Sequence, residues 1–474
     1  MKRLIAVAAV AALAACAGKP PESHVSEIKT EALGLGPATA PQIPEKWWAA
    51  FGDPALDGLV DQALMDSPTL ATAMARLRRA ESEISLTRAA TLPQANFEAQ
   101  EMRERLSGNY IIPPPYGGST QWIGTAQANL SWSLDFFGKQ ESQLAKVRAT
   151  SEAASLDVAA ARLALAGSVT QAYISLARAY ALSDAAADAV KQRQSILTLT
   201  KTLISHGLEA SASQPLAEAQ VAAAQVELAH VGGLKDIAVH ELALLTGQGA
   251  NAYDIARPKL NALALTLPDI LPADLLARRA DIAAAKARIL SANAGEEIAR
   301  KAFYPDINLV GTVGLAAVGL GPLFSSDSLQ VGAGPAIHLP IFDGGQLQAR
   351  YNGAAAQRDE SVATYNELLL VAVRQTADAL SALKTLNDQA ALMQQMRTAA
   401  DASADVAARR YKSGLAPQLP VFTSQDLVIQ ARRQDAVLGT DIASAKVSLV
   451  MALGGGFVPL PQETSVARQE ETHE

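Results

Sequence analysis

Two rhythms of apolar and polar positions alternate along the chain and switch at short glycine-containing junctions. Residues 139–205 carry apolar side chains at three- and four-residue spacing: Val169, Tyr173, Leu176, Tyr180, Ala187, Val190, Leu197 and Ile204. That period predicts one long α-helix, stopped at His206-Gly207, where glycine accepts the left-handed conformation a helix end needs. Residues 346–412 have the same grammar and stop at Ser413-Gly414. Before each long helix the pattern becomes strand-like, over 121–136 and over 329–342. The second of these closes on His338-Leu339-Pro340-Ile341-Phe342, ahead of Gly344-Gly345. Further strands are predicted at 93–106 and 305–316, and helices at 68–91, 215–246, 278–302 and 418–454. Pro215 falls in an opening turn, where its missing N–H costs little.

These elements are a duplication. Shifted by 207 positions, Gly138 falls on Gly345, Gly207-Leu208 on Gly414-Leu415 and Gly247 on Gly454. Earlier in each half the shift is 212, which lays LPQANF (92–97) over YPDINL (304–309) and Pro68 over Ala280. The five-residue difference marks a surface loop within the strand pair. Two structural repeats follow, 47–261 and 262–456, each ordered helix, strand, strand, long helix, helix. About 67 residues at 1.5 Å each make a helix of roughly 100 Å. The returning helix covers about 50 Å and the preceding one about 36 Å, so each long helix is expected to pair with two shorter ones in a coiled-coil column.

The strands raise the question of solvent. They are rich in glycine and small apolar residues, as in WIGTAQANLSWSLDF and INLVGTVGLAAVGL. Past the N-terminal segment there is no run of eighteen apolar residues, hence no expected spanning helix, whereas strands of ten residues can cross a bilayer when tilted. Four strands cannot close a barrel, and an open edge cannot lie in lipid. Either the hairpins lie in water, or other subunits complete them.

Composition narrows the choice. Apolar residues make up 49% of the 474, but aromatic residues only 5%, and alanine-rich chains favour long, closely packed helices over thick cores. The formal charge is −7; without Lys2 and Arg3, 38 basic residues face 47 acidic ones, a net −9. With no basic run, that excludes a nucleic-acid binder. Residues 1–15 read as a signal peptide, with a basic start and an apolar run too short to span a bilayer. Cys16 is the only cysteine, so no intrachain disulfide exists. Leu13-Ala14-Ala15-Cys16 resembles the bacterial lipobox, which implies cleavage before Cys16 and lipid on its sulfur; ordinary cleavage at Ala12-Leu13-Ala14 is the competing reading. Residues 16–46 then form a Pro/Gly-containing periplasmic linker, and 457–474 a flexible tail. The six histidines have no metal-ligand spacing, and neither a P-loop nor a G-x-S-x-G occurs. No enzyme and no cofactor are expected.

At WWAAFGDPALDGLVDQAL (47–64), at LPADLLARRADIAAAKARILSANAGEEIARKAFYPDINLVGTVG (271–314), and at LPIFDGGQLQARYN, RRYKSGLA and LVMALGGG, the chain resembles the TolC-like outer-membrane factors, in particular their lipidated OprM- and NodT-type branch. Ala280 stands where that branch usually has proline. The resemblance implies a mainly α fold with a transmembrane β-barrel. In it, a homotrimer forms a twelve-stranded barrel on a long α-helical periplasmic tunnel, lipid-anchored in a Gram-negative outer membrane. It implies a periplasmic adaptor and an inner-membrane pump of RND type as partners, and small-molecule efflux as the function. A duct for type I protein secretion and a structural coiled-coil lipoprotein without a pore are the alternatives. By the same resemblance, adaptor tips dock on His206, Gly207 and Leu208 and on Ser413, Gly414, Leu415 and Ala416. The tunnel closes beside the second tip, where Tyr411 and Leu419 match gate positions. Thr423 stands where many relatives have Asp, and Asp426, one turn later, is the candidate to replace it.

Overall fold

The computed structural model describes Lys19 and residues 21–29, 33–34, 36, 43–109, 111–249, 255–261, 263, 278–319 and 321–457. The expected signal segment, Cys16, much of the linker and residues 458–474 of the expected tail lie outside them. After a 3-10 turn, Trp47–Phe51, come α1 (Pro54–Asp66), α2 (Pro68–Ala90), β1 (Gln94–Arg105), β2 (Thr120–Leu134), α3 (Lys139–Ser205) and α4 (Ser213–Leu245). The second half supplies α5 (Ala280–Lys301), β3 (Asp306–Val318), β4 (Leu329–His338), α6 (Gln346–Lys412) and α7 (Leu419–Ala452). The long helices α3 and α6 occupy the spans their pattern predicts.

Three features depart from expectation. Helix α1 was not foreseen; Asp53 caps it, its carboxylate accepting the Ala55 N–H at 3.1 Å just before Pro54 opens the first turn. Strand β4 ends at His338 rather than 342, because Pro340 has no N–H to carry the ladder on, and Ile341 and Phe342 stand exposed. Along α3 the buried line past Tyr180 runs through Leu182, Ala186, Ala189, Arg193, Ile196 and Thr200, not through Ala187, Val190, Leu197 and Ile204. The bulky residues of the apolar pattern here are neighbours of the small and polar residues that are buried. A window of α3 does reach a mean hydropathy of 1.2. Only 28% of that window is buried, although Val169, Tyr173 and Leu176 of the same helix pack in a core.

The chain divides into two compact units, each drawing segments from both halves. The first comprises Met1–Glu27, Arg76–Ser155 and Ala284–Tyr365 and holds the sheet. Its order is β1-β2-β3-β4, antiparallel throughout, so the two hairpins join through β2 and β3 and leave β1 and β4 as edges. Register sorts the side chains. Phe97 opposes Ala128, Ala128 opposes Val313, and Val313 opposes Val331. Directly opposed residues share a face and alternate residues along a strand share it too. One face therefore carries Phe97, Trp122, Leu130, Trp132, Leu309, Val313, Val331 and Ile337, all exposed. The other carries Asn96, Glu98, Gln127, Asn129, Asn308, Thr312, Gln330 and His338. Thr312 Oγ1 donates there to Asn129 Oδ1 at 3.0 Å.

Both strand-to-helix corners are pinned by an aspartate. Asp135 Oδ2 accepts the Glu141 N–H at 3.0 Å at the start of α3. Asp343 accepts the N–H groups of Gly345 and Leu347 at 2.9 and 2.7 Å at the start of α6. Gly138 (φ +73°) and Gly345 (φ +89°) supply the left-handed turn at each. An N-terminal strap runs beside α6: the Lys19 backbone is clasped by Gln348 on both sides, and Asp359 accepts from Ser23 Oγ and the His24 N–H at 3.0 and 2.9 Å.

The second unit comprises Ile28–Ala75, Leu156–Ala283 and Asn366–Glu474. Its largest core packs Trp47, Phe51, Leu56 and Val60 against Val169, Tyr173 and Leu176 of α3 and Leu242 of α4. Buried Asp53 also accepts from Tyr173 Oη at 2.8 Å and from the Lys259 N–H at 2.7 Å. Burial and this carboxylate push the Tyr173 phenol well above its ordinary range. The duplication is visible as one contact made twice. A Cβ on Gly247 would lie 2.8 Å from Asp66 O, and one on Gly454 would lie 2.1 Å from Arg278 O. Asp66 and Arg278 are themselves equivalent in the two halves.

Candidate functional site: the paired helical turns

Helices α3 and α6 end in the same turn. At the first, the Gly207 N–H donates to Ile204 O at 3.0 Å and the Leu208 N–H to Leu203 O at 2.9 Å. At the second, the Gly414 N–H donates to Tyr411 O and the Leu415 N–H to Arg410 O, both at 2.9 Å. This pair of bonds, six-to-one and five-to-two, satisfies carbonyls the helix end would otherwise leave open. It requires left-handed glycine, and φ is +69° and +71°. Open space surrounds both glycines, so backbone conformation alone demands them. Each turn then presents a leucine to solvent, Leu208 at 69% and Leu415 at 80% exposure. His206 is exposed and its Nδ1–H donates to Thr202 O at 2.7 Å, while Ser413 Oγ donates to Arg409 O at 3.0 Å. Ala416 is half-buried.

One core holds the two turns together. Ile196, Ala217, Tyr411, Val421 and Phe422 pack as a cluster below them. Tyr411 is 2% exposed, its hydroxyl lies 3.3 Å from Thr200 Oγ1, and burial raises its phenol. Gln418 Nε2 donates to the same threonine oxygen. The gate candidates thus fall into two sets. Leu419, Thr423 and Asp426 share one face of α7 by their four- and three-residue spacing, with Leu419 63% exposed. Tyr411 is separate, inside the core. Thr423 Oγ1 bonds back to Pro420 O at 3.1 Å, and the Asp426 carboxylate is engaged by Arg193.

Arg193 is the residue the sequence reading passed over. It is 3% exposed, donates to Asp426 and to Gln425 Oε1, and its guanidinium lies 5.3 Å from the Phe422 ring. A signal existed: Arg193 and Thr200 stand three and four heptads on from buried Ala172, and a polar residue at such a position needs a partner.

A four-stranded sheet with one apolar, solvent-facing side and two open edges, each of its hairpins leading into a 67-residue helix, defines the class: an outer-membrane channel with a periplasmic helical tunnel. The model of the outer membrane efflux protein family matches residues 59–248 and 271–455, and the chain belongs to that family. It is 29% identical over 420 residues to the multidrug resistance outer membrane protein MdtQ of Escherichia coli O157:H7, covering 87% of this chain and 88% of that one. It is 32% identical over 368 residues to the fusaric acid resistance protein FusA of Burkholderia cepacia, covering 74% and 69%. Among solved structures, the outer membrane protein VceC of Vibrio cholerae is similar with a TM-score of 0.82 and 31% identity, over 88% of this chain and all of that one. The chain is an efflux channel of the outer membrane and not an enzyme. Family membership implies, in general terms, a trimer working with tripartite efflux partners.

Proposed function

We propose that this channel is the exit duct of a tripartite pump for small molecules, docked at its two helical turns by a periplasmic adaptor that links it to an inner-membrane pump of RND type. The observation that carries the docking surface is the matched pair of turns, each holding a leucine in water above a common core. An exposed leucine is ordinary singly; two at equivalent places of a duplication, each just past the end of a long helix, form a surface suited to an apolar partner. Relatives named for multidrug and fusaric acid resistance support small molecules rather than proteins as cargo. The exposed face of Leu419 and Thr423 is the proposed constriction. Tyr411 acts behind it by fixing the turn, and Asp426 by neutralising Arg193. A lipid on Cys16 and a twelve-stranded barrel from three chains complete the reading.

Gly414→Val places a β-branched residue in the left-handed region at a cost of about 1–2 kcal/mol. That variant and Leu415→Ser are expected to abolish efflux while trimer and membrane level stay unchanged. Small polar substitutions at Leu419 and Tyr411 are expected to raise resting conductance in planar bilayers. Normal pumping by both turn variants would remove the docking surface from this proposal.

A further inference from the structure

The apolar face of the sheet is interrupted at one place. Glu101, Arg103 and Arg105 project from β1 on the same side as Phe97, opposite Gly124, Trp122 and Thr120 respectively. The Arg103 guanidinium lies 5.9 Å from the Trp122 ring centroid. Neither arginine forms an ion pair with a carboxylate among the described residues, Glu101 included. All three charges lie at the loop end of the hairpin, opposite the end where α2 enters and α3 leaves. In a channel whose helices are periplasmic, that end meets the outer leaflet.

A lipid-facing arginine costs about 2–4 kcal/mol at the bilayer midplane and about 0–1 kcal/mol near the interface. These two residues therefore mark the headgroup level, the depth at which tryptophan is also favoured. Alternate positions on a strand are about 7 Å apart, so the two guanidiniums can reach one anionic group from above and below. Their planar donor forks match phosphate oxygens in pairs, which a lysine ammonium does not. Glu101 lies one step deeper and repels an anion placed there, which confines it to the Arg103–Arg105 interval. We propose that Arg103 and Arg105, framed by Trp122, form a subsite on the outer wall for the phosphorylated headgroup of an outer-leaflet lipid. The inference rests on this face being the lipid-facing wall of the barrel.

The test titrates the full-length protein in detergent with diphosphoryl lipid A, its dephosphorylated form and phosphatidylglycerol, with bound lipid read by native mass spectrometry. The wild type is expected to retain diphosphoryl lipid A, and the Arg103→Ala/Arg105→Ala variant to bind it at least tenfold more weakly with assembly unchanged. Removing the lipid's phosphates is expected to cause a similar loss in the wild type. Equal binding by variant and wild type overturns the subsite, and equal binding of phosphatidylglycerol overturns the choice of occupant. A nitroxide on Val331→Cys, read against lipid-soluble and water-soluble relaxation agents, tests the wall separately: lipid exposure there with no change in lipid binding would sink the subsite alone.

Discussion

Arg279 shows how one side chain can close a helix end and start another. Its Nε and Nη2 grip the Asp281 carboxylate at 3.0 and 2.7 Å, while Nη1 donates to Ala452 O at 3.2 Å and to Gln375 Oε1 at 3.0 Å. The last turn of α7 is thereby tied to the first turn of α5. Burial alone would raise the Asp281 carboxyl, but the hydrogen bonds and charge of Arg279 outweigh it and hold the group below its ordinary range. A depressed carboxylate contributes stability that is present above its unfolded pKa of about 3.9 and is lost as pH falls through the folded value. Asp281→Asn is therefore expected to lower the thermal midpoint at neutral pH and to flatten its decline under acid. Parallel declines in variant and wild type would show that the pair contributes nothing to the acid response. This pair could not be read from the sequence, where Arg-Arg-Ala-Asp is one polar stretch among many. Gly207 and Gly414 could, because a left-handed helix end announces its residue type. Asp426 was legible as an acid of the tip, whereas its neutralisation by Arg193 depended on which line of α3 is buried.

Helices were the most legible elements and strand faces the least. Glycine terminators and the lack of interior proline set α3 and α6 to the residue, since nothing between could stop them. Strand β1 alternates only loosely on its own, and its apolar side emerged only when Phe97 was seen in register with Ala128 and Val313. Helix α1 is short and contains Gly58, which hid its period. The corners between sheet and helix rest on local chemistry. The N–H groups of Leu347 and Gly345 hold the Asp343 carboxyl below the usual carboxylate range. Asp343→Ala would return those donors to water and loosen the first turn of α6. Faster amide exchange at Gly345 and Leu347 than in the wild type is the expected result. Unchanged protection would mean that the glycines alone hold the corner.

At the scale of the whole molecule, the open edges decide what the chain must do. Among the described residues, β1 and β4 each leave a row of backbone donors and acceptors unpaired, beside a face that carries Phe97, Trp132, Val313 and Ile337. In hydrocarbon there is no water to satisfy them, so a lone chain cannot be stable there. Three copies would join β4 of one to β1 of the next and close twelve strands with no edge left, enough for an aqueous lumen lined by the polar face. A lipid on Cys16, as proposed, would add a second hold on the membrane. Gln348, in the first turn of α6, clasps Lys19, and three residues of chain from there to Cys16 reach at most about 10 Å. Each methylene that such a lipid buries would contribute about 0.8 kcal/mol. The proposed barrel and the proposed lipid would be separate anchors and should separate experimentally. Detergent-extracted protein is expected to run as a trimer and to conduct in planar bilayers. Cys16→Ala is expected to lose metabolic acyl label while keeping that trimer. Acyl label persisting on the variant would exclude Cys16 as the lipidated residue, and a monodisperse monomer with native circular dichroism would exclude the shared barrel.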